Sequence, residues 1–265
     1  MNRKLGLLNG LAALALLQVG TASAITDGEL DGDGHPYVGI MVAQDAAGNP
    51  MWRCSGTMIS RTVFLTAGHC TFGAAHVEIW FAADIDAGRP GNGYPFVGEV
   101  GGTPSTHPQY DPSAFFRYDL GVVVLDLPVD MPTYGMLPGL DQLDALKTQR
   151  GQQDVTFTAV GYGLQKSFPD AAAWKTVAQR VRYVAYPRLL QINTGYTGPD
   201  SLLLSNNANT GGTCFGDSGG PNFIGYTNVV GAVTSFGING NCAGTGGVYR
   251  IDRADDLEWL ATFLQ

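Results

Sequence analysis

Short apolar stretches separated by turn-forming residues recur along most of the chain. Val, Ile, Phe and Thr are frequent in these stretches, and Gly, Pro, Asn and Asp cluster between them, which is the pattern of short β-strands joined by turns. The clearest predicted strands are Tyr37–Val42, Cys54–Ile59, Val63–Thr66, Val77–Phe81, Leu120–Leu125, Val155–Val160, Val177–Val184 and Val229–Thr234. Many short strands of this kind predict an all-β barrel or sandwich.

Two segments depart from this pattern. Near the end of the chain, Asp252 is a predicted helix N-cap, and acidic residues follow it in the first turn. Four apolar residues then fall on one face of the predicted helix: Leu257, Leu260, Phe263 and Leu264. We therefore expect a terminal amphipathic helix docked on the β-domain. Asp84–Tyr118 is rich in Gly, Pro and Asp, and we expect surface loops there.

The composition supports one folded domain. Of the 265 residues, 45% are hydrophobic and 14% are charged, which can fill a substantial core and excludes a disordered chain. The 37 glycines and 14 prolines suit strands and turns better than helices. No internal repeat, low-complexity tail or shift in composition marks a second functional domain.

The first 24 residues have the features of a secretory signal peptide. Arg3 and Lys4 form a basic start, residues 5–19 are mostly apolar, and Ala22-Ser23-Ala24 is the small-residue pattern after which signal peptidase cuts. A membrane-spanning helix needs about 20 apolar residues, and neither this stretch nor any later one reaches that length. We therefore expect export, to the outside of the cell or to the periplasm, and a mature chain of residues 25–265.

Charge and cysteine content narrow the partners and the compartment. The net charge is −8, and it becomes −10 when a signal peptide with two basic and no acidic residues is removed. An acidic chain has no electrostatic reason to bind nucleic acid or an anionic membrane. The mature part contains four cysteines, Cys54, Cys70, Cys214 and Cys242, and an even number in an exported chain indicates two disulfides. Zinc ligation is the weaker alternative, because no two of these cysteines have the close spacing of zinc ligands.

Three local segments carry candidate chemistry. They are Leu65-Thr66-Ala67-Gly68-His69-Cys70, Tyr118-Asp119-Leu120-Gly121-Val122 and Cys214-Phe215-Gly216-Asp217-Ser218-Gly219-Gly220-Pro221. A nucleophilic serine needs a base such as histidine, a carboxylate orients that base, and backbone N–H groups on a glycine turn stabilise the negative oxygen of the intermediate. Each segment alone has an ordinary structural explanation, so the indication comes from the whole set in the order His, Asp, Ser.

The first and third segments resemble the two signature segments of the trypsin/chymotrypsin family of secreted serine proteases, and Asp119-Leu120-Gly121-Val122-Val123 is similar to the family's aspartate segment. The likeness extends over nearly all of residues 25–265. It implies an all-β fold of two six-stranded antiparallel β-barrels with a C-terminal α-helix, and an active site in the cleft between the barrels. It also implies a serine endopeptidase that needs no metal or other cofactor.

The resemblance implies roles for individual residues. Ser218 would be the nucleophile, His69 the general base and then acid, and Asp119 the residue that orients His69. The backbone N–H groups of Gly216 and Ser218 would form the oxyanion hole. The implied disulfides are Cys54–Cys70 and Cys214–Cys242.

Other acids and histidines match the pattern less well. Asp111 and Asp126 are rivals of Asp119, but neither has the matching surroundings. We expect the remaining histidines at the surface; they are His35, His76 and His107.

Ile25-Thr26-Asp27-Gly28 resembles the start of the mature domain in this family. A freed ammonium group at Ile25 would pair with the aspartate before the nucleophile, which is Asp217. Because the predicted signal-cleavage site directly precedes Ile25, we expect signal cleavage alone to create the activating N-terminus, without a zymogen.

The resemblance also implies a specificity pocket. Gly212 would form its base, and its walls would include Ser235, Gly237 and Gly247. A neutral base between open glycine walls predicts cleavage after bulky apolar or aromatic residues. Residues 84–118 and 164–174 are expected to shape the extended substrate site.

Two other functions fit the sequence less well. A catalytically inactive relative that serves as a binding protein usually lacks a triad residue, and all three are present here. Esterases of another fold share a Gly-x-Ser-x-Gly turn, but their histidine follows the serine, and no histidine follows Ser218. The expected partners are protein or peptide substrates and protein inhibitors of proteases, and the expected state is a monomer.

Overall fold

Two β-sheets dominate the structure, a computed structural model that describes residues 25–146, 154–167, 178–193, 195 and 198–264. The strands are β1 (Glu29–Leu30), β2 (Val38–Gln44), β3 (Pro50–Met58), β4 (Val63–Thr66), β5 (His76–Trp80), β6 (Val100–Thr106), β7 (Gly121–Leu125), β8 (Phe157–Gly161), β9 (Tyr183–Ala185), β10 (Leu189–Ile192), β11 (Ser201–Asn206), β12 (Pro221–Ile224), β13 (Val230–Gly237) and β14 (Gly244–Arg250). The α-helices are α1 (Gly68–Thr71), α2 (Ile85–Gly88) and α3 (Ala254–Ala261). The predicted signal peptide, residues 1–24, and most of the predicted loop at 164–174 lie outside the described residues.

Six strands close into an antiparallel barrel in the order β2-β3-β4-β7-β6-β5, which we call the first barrel. All seven residues of β2 are buried, which explains why its sequence is a nearly continuous apolar run rather than an alternating one. Phe64 on β4 is fully buried in the core, and burial of one such side chain contributes about 1.5–3 kcal/mol.

Strand β6 lies inside the segment where we expected only surface loops, so that expectation was wrong. Its sequence contains two glycines and Pro104 and has no apolar periodicity. Pairing with β5 and β7 orders it instead. The backbones come very close, since a Cβ at Gly102 would lie 2.6 Å from a methyl of Val123. Glycine is needed at this contact, although glycine in isolation predicts a turn.

The other eight strands form one curled antiparallel sheet in the order β1-β9-β8-β12-β13-β14-β11-β10, which we call the second sheet. The expected second six-stranded barrel is therefore not closed. The edge strand β10 approaches the interior strand β8 where an isolated bridge joins Thr156, just before β8, to Arg188, just before β10. Pro187 lies between β9 and β10, and its carbonyl accepts a hydrogen bond of 2.9 Å from the amide of Phe157 on β8.

The barrel and the sheet share one core and are tied together by a buried arginine. The largest buried cluster contains side chains of both, including Phe64 and Phe223. The Arg182 guanidinium is buried and donates hydrogen bonds to the carbonyls of Val38 and Phe81 on the barrel side and to the carboxylate of Asp31. The cleft between the barrel and the sheet is where the predicted catalytic segments meet.

The terminal helix is present, but its start differs from the expectation. Arg253 is the N-cap of α3. The carboxylate of Asp252 accepts hydrogen bonds from the Arg250 guanidinium at 2.7 and 2.8 Å and from the amide of Leu143, so it does not cap the helix. None of the helices in the described ranges is long and apolar enough to cross a membrane.

One of the three histidines expected at the surface is buried. Only 4% of His107 is exposed, and its ring stacks on Tyr118 at 5.1 Å between centroids and meets the edge of Trp259. His35 and His76 are partly exposed, and each contacts a neighbouring acid. The sequence around His107 is typical of a loop, so it gives no indication that the terminal helix covers this residue.

Candidate active site

His69 projects from α1, a single turn that follows β4 at the edge of the first barrel. The backbone N–H of His69 donates to Oδ1 of Asp119 at 2.8 Å, and the ring Nδ1 lies 2.9 Å from Oδ2 of the same carboxylate. One aspartate thus holds both the backbone and the ring. The Cys54–Cys70 disulfide joins this turn to β3.

Asp119 lies just before β7 and is fully buried. Its Oδ2 also accepts a hydrogen bond from Oγ of Ser235 on β13, at 2.6 Å. Burial by itself would lower the pKa of His69, but the charge and hydrogen bond of Asp119 outweigh it and raise that pKa above its ordinary value. The pair can therefore hold a proton on the ring, as a general base must do during catalysis.

The two rival aspartates lie elsewhere. Asp111 is exposed, and its carboxylate accepts hydrogen bonds from the amide and hydroxyl of Ser113, capping a short 3-10 turn. Asp126 follows the end of β7, and its carboxylate lies beside Gly101. Among the three acids, Asp119 is the one in contact with His69.

Ser218 lies on a tight turn between the Cys214–Cys242 disulfide and β12. Ser218 and His69 line the same cavity, which has a volume of about 330 Å³. Gly219 has a φ of +75°, and a Cβ there would lie only 2.0 Å from Oγ1 of Thr66, so this position requires glycine. Gly216 also has a positive φ, +97°. The backbone of this turn therefore has a conformation that glycine adopts without strain.

Ser55 on β3 anchors this turn, a role that the sequence analysis missed. Its amide donates to the carbonyl of Ser218 at 2.8 Å, and its hydroxyl donates to the carbonyl of Gly216 at 2.9 Å. The hydroxyl also accepts from the amide of Tyr162. No local signal in the sequence marks Ser55, because its partners on the turn and at Tyr162 are more than 100 residues away.

Asp217 and Ile25, the predicted activation pair, are both fully buried. The Asp217 carboxylate accepts hydrogen bonds from the amides of Gly163 at 2.7 Å and Cys214 at 2.9 Å. Burial nevertheless raises the pKa of Asp217 to about 7. Ile25 packs against Ala159, Tyr183 and Ala185, and in the full-length chain its nitrogen belongs to a peptide bond.

The predicted pocket residues divide into two groups. Ser235 and Gly237 line the cavity beside Ser218, together with Phe115, Phe215 and Phe236. Gly212 and Gly247 are not among the lining residues. Gly212 has no side chain, and the side chain of Asn206 occupies the space beside it. At Gly247 a Cβ would lie 2.2 Å from the ring of Phe236, so glycine leaves room for that ring.

In the described part of the chain, one group of potential metal ligands occurs, and it lies in this region. Cys54, His69 and Cys70 offer donor atoms within 4.8 Å of one another. The two sulfurs are joined in a disulfide, and metal ligation requires thiolates, so this group does not fit a metal ion.

Comparisons with known proteins agree with the family that the sequence resembles. The family model described as Trypsin matches residues 32–256. The chain is 29% identical over 239 residues to a chymotrypsin from Phaedon cochleariae, which covers 86% of this chain and 77% of that protein. It is 27% identical over 176 residues to an ovochymase from Halocynthia roretzi, which covers 63% of this chain but only 10% of that protein.

Solved structures share the fold. A structure titled HL collagenase superimposes with a TM-score of 0.66 at 19% identity and covers 90% of this chain and 97% of its own. Human heparin binding protein superimposes with a TM-score of 0.66 at 19% identity and covers 91% of this chain and 96% of its own. At this level of identity the likeness shows the fold alone.

Proposed function

This chain belongs to the trypsin family, and from that premise we propose that it is a secreted serine endopeptidase with His69, Asp119 and Ser218 as its catalytic residues. The observation that carries the proposal is the carboxylate of Asp119, buried and bonded to both the backbone and the ring of His69, beside a cavity that Ser218 shares. This is the constellation that acyl transfer to a serine needs.

In the proposed reaction, Oγ of Ser218 attacks the carbonyl carbon of the substrate while Nε2 of His69 takes the hydroxyl proton. Asp119 keeps Nδ1 protonated and stabilises the charged ring. The N–H groups of Gly216 and Ser218 bind the oxygen that becomes negative. His69 then gives the proton to the leaving amine, the new N-terminus departs, and water hydrolyses the acyl-enzyme by the same route.

The proposed activating event is removal of residues 1–24 during export. Thr26 already pairs with Gly212 through its carbonyl, which receives a 3.0 Å hydrogen bond from the Gly212 amide. Ile25 is fully buried against Ala159, Tyr183 and Ala185. A free ammonium at Ile25 would neutralise Asp217, whose burial otherwise favours the protonated form.

The proposed preference is cleavage after bulky apolar or aromatic residues. The cavity beside Ser218 is lined by Phe115, Phe215 and Phe236, and its volume of about 330 Å³ suits one large side chain. Among the residues that the structure describes, no carboxylate lines this cavity to pair with a Lys or Arg side chain.

A fluorophosphonate probe tests the catalytic assignment. We expect the purified secreted chain to be labelled on Ser218, and Ser218→Ala and His69→Ala to abolish labelling while the fold, followed by circular dichroism, is unchanged. Absence of labelling in a folded chain that begins at Ile25 would contradict the proposal. Peptides that differ only in the residue before the cleaved bond test the preference, and faster cleavage after Arg or Lys than after Phe would overturn it.

A further inference from the structure

Strand β3 presents a cationic side chain to the nucleophile turn. Side chains alternate along a strand, so Arg53 and Ser55 share one face of β3. Ser55 holds the carbonyls of Gly216 and Ser218, and the Arg53 guanidinium lies next to it along the same turn. A Cβ built on Gly216 would lie 3.4 Å from Nε of Arg53 and 3.8 Å from its terminal nitrogen.

The other face of β3 points to the histidine turn. The indole N–H of Trp52 donates to the carbonyl of Cys70, and Cys54 forms its disulfide with the same residue. Arg53 therefore lies on β3 between the two loops that carry the proposed reacting groups, and it is not among the residues that line the aromatic cavity.

Arg53 has no acidic partner among the described residues. Most other arginines in those ranges pair with an aspartate; the pairs are Arg61–Asp130, Arg89–Asp86, Arg180–Asp86, Arg182–Asp31, Arg250–Asp252 and Arg253–Asp141. The carboxylate nearest the turn, that of Asp217, is occupied by two backbone amides and interacts with Arg53 only through its charge. A half-buried guanidinium with free donors is suited to bind a carboxylate in a forked geometry.

The position of Arg53 decides which part of a substrate it can meet. On the proposed function, the residue before the cleaved bond enters the cavity lined by Ser235 and Gly237 of β13. The chain after the cleaved bond must then leave the other side of Ser218, along β3. An extended chain advances about 3.3 Å per residue, so the first two residues after the bond come within reach of Arg53.

We propose that Arg53 binds a carboxylate on the leaving-group side of the substrate, so that the enzyme prefers an acidic side chain, or a free chain terminus, at the first or second position after the cleaved bond. This inference rests on the proposed function and adds a determinant of substrate choice to it. The charge of the whole molecule is negative and would repel such substrates, so the selectivity must come from this local cation.

A peptide series measures the preference. All peptides share the same residues before the cleaved bond and carry Glu, Gln or Lys at either of the next two positions, with an amidated end. A second set ends two residues after the bond as a free acid or an amide, which separates a side-chain carboxylate from a terminal one. We expect kcat/KM to be roughly tenfold higher for Glu than for Gln at one of the two positions, or for the free acid than for the amide, and lowest for Lys.

Variants of Arg53 connect the preference to this side chain. We expect Arg53→Gln to make Glu and Gln peptides equal, and Arg53→Glu to favour Lys. The control is Arg61→Gln, an exposed arginine of the same barrel, which should keep the wild-type ratios. The ratio of kcat/KM between two peptides, measured with one variant, does not depend on the fraction of folded enzyme. Fluorophosphonate labelling verifies that each variant has an assembled site.

Each outcome has a defined meaning. Equal cleavage of Glu and Gln peptides and of free acid and amide by labelled wild-type enzyme would overturn this inference and leave the proposed function standing. A preference that survives in Arg53→Gln would overturn it as well. A folded chain that is neither labelled nor active on any peptide would overturn the proposed function, and this inference with it.

Discussion

The carboxylate of Asp119 is held by three donors that come from both halves of the molecule. His69 supplies its backbone N–H and its ring from the first barrel, and Ser235 supplies a hydroxyl from the second sheet. We expected Ser235 only as a pocket wall. Ser235 lines the cavity and is also hydrogen-bonded to the carboxylate that contacts His69, so we expect it to act as a positioning residue in the proposed reaction.

Ser235→Ala should lower kcat/KM by roughly ten- to a hundredfold, because a hydrogen bond to a buried carboxylate is worth roughly 1.5–3 kcal/mol and Asp119 would lose one of three. The pH–rate profile should move too, since the carboxylate that raises the pKa of His69 is changed. Steady-state kinetics over a range of pH checks both effects. Ser113→Ala, which removes a hydroxyl from the exposed rival Asp111, is the matched control. Unchanged kinetics in Ser235→Ala would refute the positioning role.

At the scale of elements, α3 does more than cover the second sheet. Asp256 on its inner face is fully buried, and its carboxyl oxygens lie 3.0 and 3.1 Å from the hydroxyl of Tyr249 on β14. Burial raises the pKa of Asp256 to about 8, and burial also lowers the pKa of the adjacent His107. Both groups are therefore neutral near pH 7. The ring of His107 stacks on Tyr118, which connects the helix to the residue preceding Asp119.

Asp256→Asn should change how stability depends on pH. In the unfolded chain this acid ionises near pH 3.8, and in the folded chain near 8, so between these values the folded state holds more protons. The free energy of unfolding then falls as the pH rises through this window. Asparagine stays neutral at every pH. The Asp256→Asn variant should therefore lack the part of the decrease in unfolding free energy that comes from this carboxyl. Urea unfolding at pH 5, 7 and 8.5 measures it.

The exposed neighbour on the same helix is the control for this change. Asp255→Asn should keep most of the wild-type dependence on pH, because its carboxyl is in contact with solvent. If Asp256→Asn and the wild type lose stability in parallel between pH 5 and 8.5, the carboxyl of Asp256 is not the group responsible.

At the scale of the whole molecule, residues 25 and 26 are joined to the segment that leads to Ser218. Ile25 is buried in the second sheet, Thr26 pairs with Gly212, and Gly212 lies six residues before Ser218. Asp217 is buried at the same turn with a pKa of about 7. The state of this N-terminus should therefore influence both the nucleophile turn and the stability of the fold.

A chain beginning at Ile25 and a chain with extra residues before Ile25 should differ in a way that depends on pH. At pH 5 the extended chain keeps Asp217 protonated, and burial then costs little. At pH 8 the extended chain must bury an unpaired carboxylate, whereas the processed chain pairs it with an ammonium. We expect the processed chain to have the higher Tm, and the difference to be larger at pH 8 than at pH 5.

Differential scanning calorimetry of the two chains measures these differences. Asp217→Asn should make the difference between the chains nearly independent of pH, and should lower activity in the processed chain. A Tm difference that is the same at pH 5 and pH 8 in the wild type would show that Asp217 does not sense the N-terminus.

The sequence by itself determined the features that depend on residues close to one another in the chain. Continuous apolar runs predicted β4 with its observed bounds and β2 within about two residues. Three local motifs singled out His69, Asp119 and Ser218, because a nucleophile, its base and its turn glycines each need particular neighbours in the chain. The all-β class followed from turn residues between such runs, and the family comparison agrees with it.

Only the tertiary structure decided which distant groups meet. Strand β6 lacks an apolar period and is a strand because two neighbours pair with it. Ser55, Ser235 and Arg53 have no local signature, since their partners lie more than 100 residues away or belong to the substrate. Burial, which sets the pKa values of Asp217 and Asp256, arises from packing of the whole chain and has no counterpart in any short segment.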